Sequence, residues 1–273
     1  MEIAFVKMEG AGNDYIYVDA IAAPFPIERA PAAARVWSDR HFGIGADGLI
    51  LLLPSREAPV RMAMWNADGT RGAMCGNGLR CIAKLAYDHQ HVRAAQFAIE
   101  TDAGLRAVEL KLTDSEVRSV VADMGSVRSF GAEIEIAVAG RQIRCIRGDA
   151  GNPHAVVFLK GGLDVFPVAE IGFAMQALPQ FVGGVNVEFV EVQSETSLRQ
   201  RTFERGSGET LACGTGAAVA TVVALQRGLL RGPEVRVALR GGTLIVRQTA
   251  TTLVIEGPVN TVYRGLVALP ESH

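Results

Sequence analysis

Two cysteine-centred segments of this chain are built to one plan. Residues 66–78 read NADGTRGAMCGNG and residues 204–216 read ERGSGETLACGTG. In each, nine positions separate the opening residue (Asn66 or Glu204) from the cysteine (Cys75 or Cys213). A Gly-x-Gly triplet and an apolar run then follow, at 79–87 and 217–225. The cysteines lie 138 residues apart, and Gly12-Asn13 and Gly151-Asn152 lie 139 apart. Three anchors at nearly one offset in 273 residues point to a duplicated half, hence to two similar domains related by a pseudo-twofold. The offset places the boundary near 117/118, giving domains 1–117 and 118–258.

A glycine-rich turn feeding an apolar run reads as a loop entering the first turn of a buried helix. Cys75 and Cys213 then stand at helix N-termini, where unpaired N–H groups and the helix dipole favour negative charge. A thiol there is expected to ionise more easily than one in open chain. Elsewhere period-two patterning dominates. Strands are expected at 2–8, 15–20, 49–53, 60–65, 96–101, 105–112, 116–124, 133–138, 142–147, 155–159, 185–192, 197–204, 234–239, 243–248 and 252–256. Helices are expected at 28–40, 78–88 and 167–176, and after Cys213. The fold class is α/β of the α+β kind, each half carrying one long central helix.

A formal net charge of −2 offers no basic field for nucleic acid or an anionic membrane. No apolar run approaches the roughly 20 residues needed to span a bilayer, and the first residues carry no basic-then-apolar leader. Four cysteines in a chain this long are not a disulfide framework. The expectation is a cytoplasmic protein.

Two cysteines at equivalent places in related halves suggest acid/base chemistry at one stereocentre. A thiolate removes an α-proton from one face and a thiol returns a proton to the other, inverting carbon with no redox cofactor. Backbone N–H groups at Gly76-Asn77 and Gly214-Thr215 can bind an α-carboxylate and so offset charge developing on the carbanion. Cys81 and Cys145, outside the repeated motif, read as small buried hydrophobes. Residues 43–48 spell G-x-G-x-x-G, but a helix precedes the segment and a strand follows it, the reverse of a dinucleotide motif. His89 and His91 have no ligand-spaced partner beyond Asp88 and read as a solvated helix end, so no metal is expected.

The ordered motifs GAGNDY (10–15), ADGT…MCGNG, AGNPH (150–154), GVNVEF (184–189) and ERGSGETLACGTG closely resemble the diaminopimelate epimerases, across almost the whole chain. The resemblance implies a pyridoxal-independent enzyme that needs no cofactor and interconverts LL- and meso-diaminopimelate, for lysine and cell-wall synthesis. It implies two domains, each a curved mixed or antiparallel sheet around a central helix, with residues 259–273 returning to the first domain. A homodimer is implied too. Carried over by residue, Cys75 and Cys213 are the acid/base pair, and His154 and Glu204 tune them. Asn13, Asn66, Asn152, Asn186, Glu204 and Arg205 match the substrate-binding set. Their chemistry agrees, since Arg205 can fork onto a carboxylate and asparagine both donates and accepts. Gly48 departs from members that place Gln after Asp47, and Ala155 stands where Cys is frequent.

Three other readings compete. A racemase of another amino acid, such as proline, hydroxyproline or histidine, would share the fold; Asn66, Asn186 and Arg205 favour a second carboxylate instead. A thiol redox protein would want a C-x-x-C motif, which is missing. A non-catalytic amino-acid binder would have no use for two helix-start thiols.

Overall fold

In the computed structural model, which describes residues 1–249 and 252–271, the chain divides into two compact units. One comprises Met1–Ala122 together with the chain from Gly257 on, and the other Asp123–Glu256. In chain order the strands are β1 (Glu2–Gly10), β2 (Asn13–Asp19), β3 (Gly48–Leu53), β4 (Val60–Asn66), β5 (Arg71–Gly72), β6 (Gln96–Thr101), β7 (Gly104–Thr113) and β8 (Glu116–Asp123). The second unit holds β9 (Arg128–Val138), β10 (Arg141–Asp149), β11 (Pro153–Leu159), β12 (Asn186–Ser194), β13 (Ser197–Glu204), β14 (Gly208–Thr210), β15 (Glu234–Leu239), β16 (Gly242–Gln248) and β17 (Leu253–Pro258). Last comes β18 (Asn260–Ala268). The helices are α1 (Ala30–Ser38), α2 (Gly76–Asp88), α3 (Val168–Gln176) and α4 (Gly214–Gln226).

Strand pairing in the two units follows the same sequence. The first runs β18-β1-β2-β3-β4-β6-β7-β8, with parallel neighbours at β2–β3 and β4–β6 and antiparallel neighbours elsewhere. The second runs β9-β10-β11-β12-β13-β15-β16-β17, with parallel neighbours at β11–β12 and β13–β15 and antiparallel neighbours elsewhere. The short strands β5 and β14 add hairpins to β4 and β13. The duplication inferred from cysteine spacing therefore covers the whole topology. It differs at one edge: β9 precedes β10 directly, whereas β18 reaches its place beside β1 from the far end of the chain.

Each sheet is mixed because helices supply the crossovers between its parallel neighbours, α1 and α2 in the first unit and α3 and α4 in the second. Strand β3 shows why its sequence reads as an unbroken apolar run. Ile50 and Leu52 pack with α2 residues Leu79, Ile82 and Leu85, while Leu49 and Leu51 pack with α1 residues Ala33, Ala34 and Trp37. Both faces are buried, so no polar alternation is possible. In the second unit Ala155, Val157, Val187, Phe189 and Phe203 form the corresponding face against Val168, Ile171 and Met175 of α3. The expected helix 28–40 is confined to α1, preceded by a single 3-10 turn, because Pro31 suits the first turn and Gly43–Gly45 fold back onto Trp37. The boundary expected at 117/118 falls within β8, which pairs with β7 along its length.

Candidate active site

Cys75 is the N-cap of α2 and Cys213 the N-cap of α4. Both have extended backbone, and each sulfur accepts from the N–H three residues on, Gly78 or Gly216, at 3.4 Å. This is ordinary N-capping with sulfur in place of a hydroxyl or carboxylate oxygen. The two helix starts match as the sequence spacing implied. Their surroundings do not.

Around Cys75, the thiol donates to Asn13 Oδ1 at 3.4 Å, and Asn77 Nδ2 donates to the same oxygen at 3.2 Å. Asn13 Nδ2 in turn donates to Asp47 at 2.6 Å, which fixes the amide orientation. Asp14 and Asp47 are bridged by Arg40, and Lys7 pairs with Asp14 at 2.6 Å. Burial pushes Asp14 up, but Arg40 and Lys7 outweigh it and hold this carboxyl below its usual range. Burial and the neighbouring Asp14 charge push Asp47 the other way, upward. Beneath the helix start lies Arg80, completely buried, donating to Asn77 Oδ1 at 2.7 Å. Burial pulls its guanidinium below the ordinary arginine range, and the cysteines at 81 and 75 act against that pull.

Around Cys213 the buried charged group is a carboxylate rather than a guanidinium. Glu188 is completely buried, its Oε1 2.9 Å from His154 Nδ1, while His154 Nε2 lies 2.9 Å from Asn152 Oδ1. Glu188 Oε2 is buried with no hydrogen-bond partner among the described residues. Thr210 donates to Glu204 at 2.6 Å, and Thr215 Oγ1 lies 3.4 Å from Cys213 Sγ. Burial, then the negative fields of Glu204 and Glu188, push the Cys213 thiol well above its ordinary value, against the pull of Thr215 and the Gly216 N–H. This corrects the expectation that a helix-start thiol ionises easily. For Cys213 the dipole and cap are present, but desolvation and two carboxylates outweigh them.

The duplication explains where this difference originates. At the repeat offset of 138 residues, Gly78 corresponds to Gly216 and Ile50 to Glu188. A Cβ on Gly78 would meet Ile50 Cδ1 at 2.6 Å, and one on Gly216 would meet Glu188 Oε1 at 2.5 Å. The same notch in the helix start thus accepts a methyl group in one unit and a carboxylate in the other. Glu188 and Arg80 were not picked out as site residues from sequence. Glu188 sits in a strand whose alternation would send it to solvent, and its alignment with the apolar Ile50 was the available signal.

The remaining expected residues lie at or next to strand ends within their own units. His154 and Asn186 are register partners across β11 and β12, and Asn186 Oδ1 accepts from the Arg205 backbone N–H at 2.9 Å. The exposed Arg205 guanidinium donates to Gly183 O at 3.0 Å. Asn66 donates to Thr70 at 3.0 Å and pairs in register with Gly48. A Cβ on Gly48 would lie 2.1 Å from Trp65 O and 2.9 Å from a Tyr15 ring carbon, so no larger side chain has room here. Cys81 and Cys145 are core residues, as expected, and burial raises their thiols to about 12 and about 11. His89 and His91 are not a solvated pair: both rings meet Asp19 at 2.7 Å.

The duplicated mixed sheet is a fold with solved members. A hydroxyproline epimerase from Agrobacterium vitis superimposes with a TM-score of 0.77 at 17% identity, over 99% of this chain and 93% of that one. A phenazine biosynthesis protein of the PhzF family from Bacillus anthracis gives 0.75 at 15%, over 98% and 99%. At such identities the likeness carries the fold alone. The sequence is more specific. The family model for diaminopimelate epimerase matches residues 5–130 and 148–262. The diaminopimelate epimerase of Geobacillus kaustophilus is 45% identical over 96% of both chains, and that of Leptospira biflexa 40% identical over 98% of this chain and all of its own. This chain belongs to the diaminopimelate epimerase family.

Proposed function

We propose that the chain epimerises LL- and meso-diaminopimelate, a step in making lysine and peptidoglycan precursors, using Cys75 and Cys213 as its two acid/base groups and no pyridoxal cofactor. The observation that carries this reading is the pair of helix-capping thiols at equivalent positions of one repeated fold. One sulfur, as thiolate, takes the α-proton; the C–H electron pair stays on carbon. The other, as thiol, gives its proton to the opposite face, and the new C–H bond has inverted configuration. No electrons are gained or lost.

Burial and the fields of Glu204 and Glu188 favour the thiol form of Cys213, which suits it to give the proton, and Cys75 takes the complementary role. In the reverse direction the states are exchanged. His154 and Glu204 tune Cys213. Backbone N–H groups at Gly76-Asn77 and Gly214-Thr215 face the reacting α-carboxylate. Asn13, Asn66, Asn152, Asn186, Glu204 and Arg205 bind the remaining amine and carboxylate groups. The reading includes a cytoplasmic homodimer; among the described residues no helix is long and apolar enough to cross a membrane.

The test is turnover of LL-diaminopimelate by Cys75→Ala and Cys213→Ala, followed by α-hydrogen exchange in deuterated water, with proline as the comparison substrate. Both variants should lose epimerisation while keeping the native circular dichroism. Near-normal turnover by either would eliminate the two-thiol reading, and faster turnover of proline would move the chain to another racemase activity.

A further inference from the structure

Outside the thiol centres, three ligand-type side chains that are far apart in sequence converge at the C-terminal end of α2. Asp19 is the last residue of β2, and His89 is the C-cap of α2. Gln90 takes a left-handed conformation, φ 61°, at a position where helices usually place glycine. That turn brings His91 back to the side on which His89 lies. His89 Nδ1 and His91 Nε2 each come within 2.7 Å of one oxygen, Asp19 Oδ2. The three ligand atoms all lie within 4.8 Å of one another, and the side chains are only 10% (Asp19), 30% (His89) and 19% (His91) exposed.

The carboxylate is oriented from behind. Asp19 Oδ1 accepts from the Ile21 and Ala22 N–H groups, both at 3.1 Å, which leaves Oδ2 for the two rings. Such outer hydrogen bonds are what fix a metal-ligating carboxylate in place. Asp19 and His89 also stand on the wall of a cavity of about 330 Å³, lined otherwise largely by apolar side chains including Ile3, Phe5 and Val18. Water could reach further coordination positions from there.

We propose that Asp19, His89 and His91 bind a divalent first-row transition cation of the Zn²⁺, Co²⁺ or Ni²⁺ kind. Two imidazole nitrogens and one carboxylate oxygen make a three-ligand face with open positions. The nitrogen majority disfavours Ca²⁺ and Mg²⁺, which take oxygen ligands. On binding, each ring coordinates through the nitrogen now facing Asp19, and the proton there moves to solvent or to the ring's other nitrogen. The ion then ties the end of α2, whose first turn Cys75 caps, to the end of β2. The site uses none of the groups assigned to epimerisation, so its test stands apart from that activity.

Chelator-stripped protein is titrated with Zn²⁺ against a chromophoric chelator, and with Co²⁺ to record the ligand-field spectrum. The wild type should take up one ion per chain and melt at a higher temperature with Zn²⁺. Asp19→Asn and His91→Gln should each weaken binding by ~10-fold or more, the scale seen when even an outer partner is lost, and abolish the thermal shift. Cys75→Ser should bind as the wild type does. Uptake unchanged in His91→Gln, lost in Cys75→Ser, or absent in the wild type would each overturn the proposal. Circular dichroism of the metal-free His91→Gln protein, whose ring is partly exposed, verifies that its fold is retained.

Discussion

The two glycines at equivalent helix positions provide a paired experiment, because one substitution meets different neighbours. In Gly216→Ala, the new methyl falls 2.5 Å from Glu188 Oε1 and 3.0 Å from its Cδ and Cγ. Glu188 cannot swing aside, being completely buried and held at 2.9 Å by His154. Ordinary contact begins near 3.4 Å, so the start of α4, with Cys213 on it, must retreat by close to an ångström. Overpacking of this kind costs about 1–3 kcal/mol, offset by up to about 1 kcal/mol of helix propensity gained over glycine. The net loss of about 0–3 kcal/mol lowers the melting temperature by roughly 0–12 °C at about 2–4 °C per kcal/mol. Activity should suffer far more, since a displacement of about 1 Å at a reacting group can cost ~100-fold. In Gly78→Ala the obstacle is Ile50 Cδ1 at 2.6 Å, the terminal methyl of a flexible chain, which can rotate away. Its rate should drop several-fold less. Both variants would be assayed by α-hydrogen exchange in deuterated water and by thermal melting. A Gly216→Ala enzyme as active as Gly78→Ala would refute the claim that the buried carboxylate braces the Cys213 helix start.

Glu188→Gln removes a negative field at Cys213, so this thiol should ionise at lower pH and react faster with iodoacetamide at pH 8, as followed by peptide mass spectrometry. An unchanged or slower rate would show that the carboxylate does not act on the sulfur. Alkali should destabilise the protein through its buried thiols. Burial raises Cys145 to about 11 and Cys81 to about 12 from an ordinary 9.0, so their contribution is complete below pH 9.0 and is lost as pH rises through those values. Cys81→Ala and Cys145→Ala should flatten the fall in denaturant midpoint above pH 9.0; a fall equally steep in both variants would count against that origin.

Period-two patterning located the long strands well because each has at least one apolar face, and β3 was visible as an apolar run because both of its faces are covered. The short strands β5 and β14 escaped notice, since two or three residues carry no period. The tail strand β18 escaped for another reason: it is largely exposed, with Val262, Tyr263 and Leu266 open to solvent, so its partner β1 could not be inferred from burial. At the thiol centres, the cysteines and their caps could be read from local spacing, which is a property of neighbouring residues. Their charge environments could not, because Arg80 and Glu188 look like solvent-facing polar residues until tertiary packing encloses them. The one long-range signal was the repeat itself, which sets Glu188 opposite Ile50.

The final strand has a consequence for how the protein is made. Leu269 N–H donates to Met1 O at 2.9 Å, Trp37 Nε1 donates to Ala268 O at 3.1 Å, and β18 borders β1 from Glu2 to Glu9. On the ribosome, the unit that is translated first therefore lacks its edge strand until residues 260–268 have been made. The later, contiguous unit already has every strand it needs and can finish folding ahead of it. Order of synthesis and order of completion run in opposite directions, and loss of residues 260–268 would damage the part of the chain that was made first.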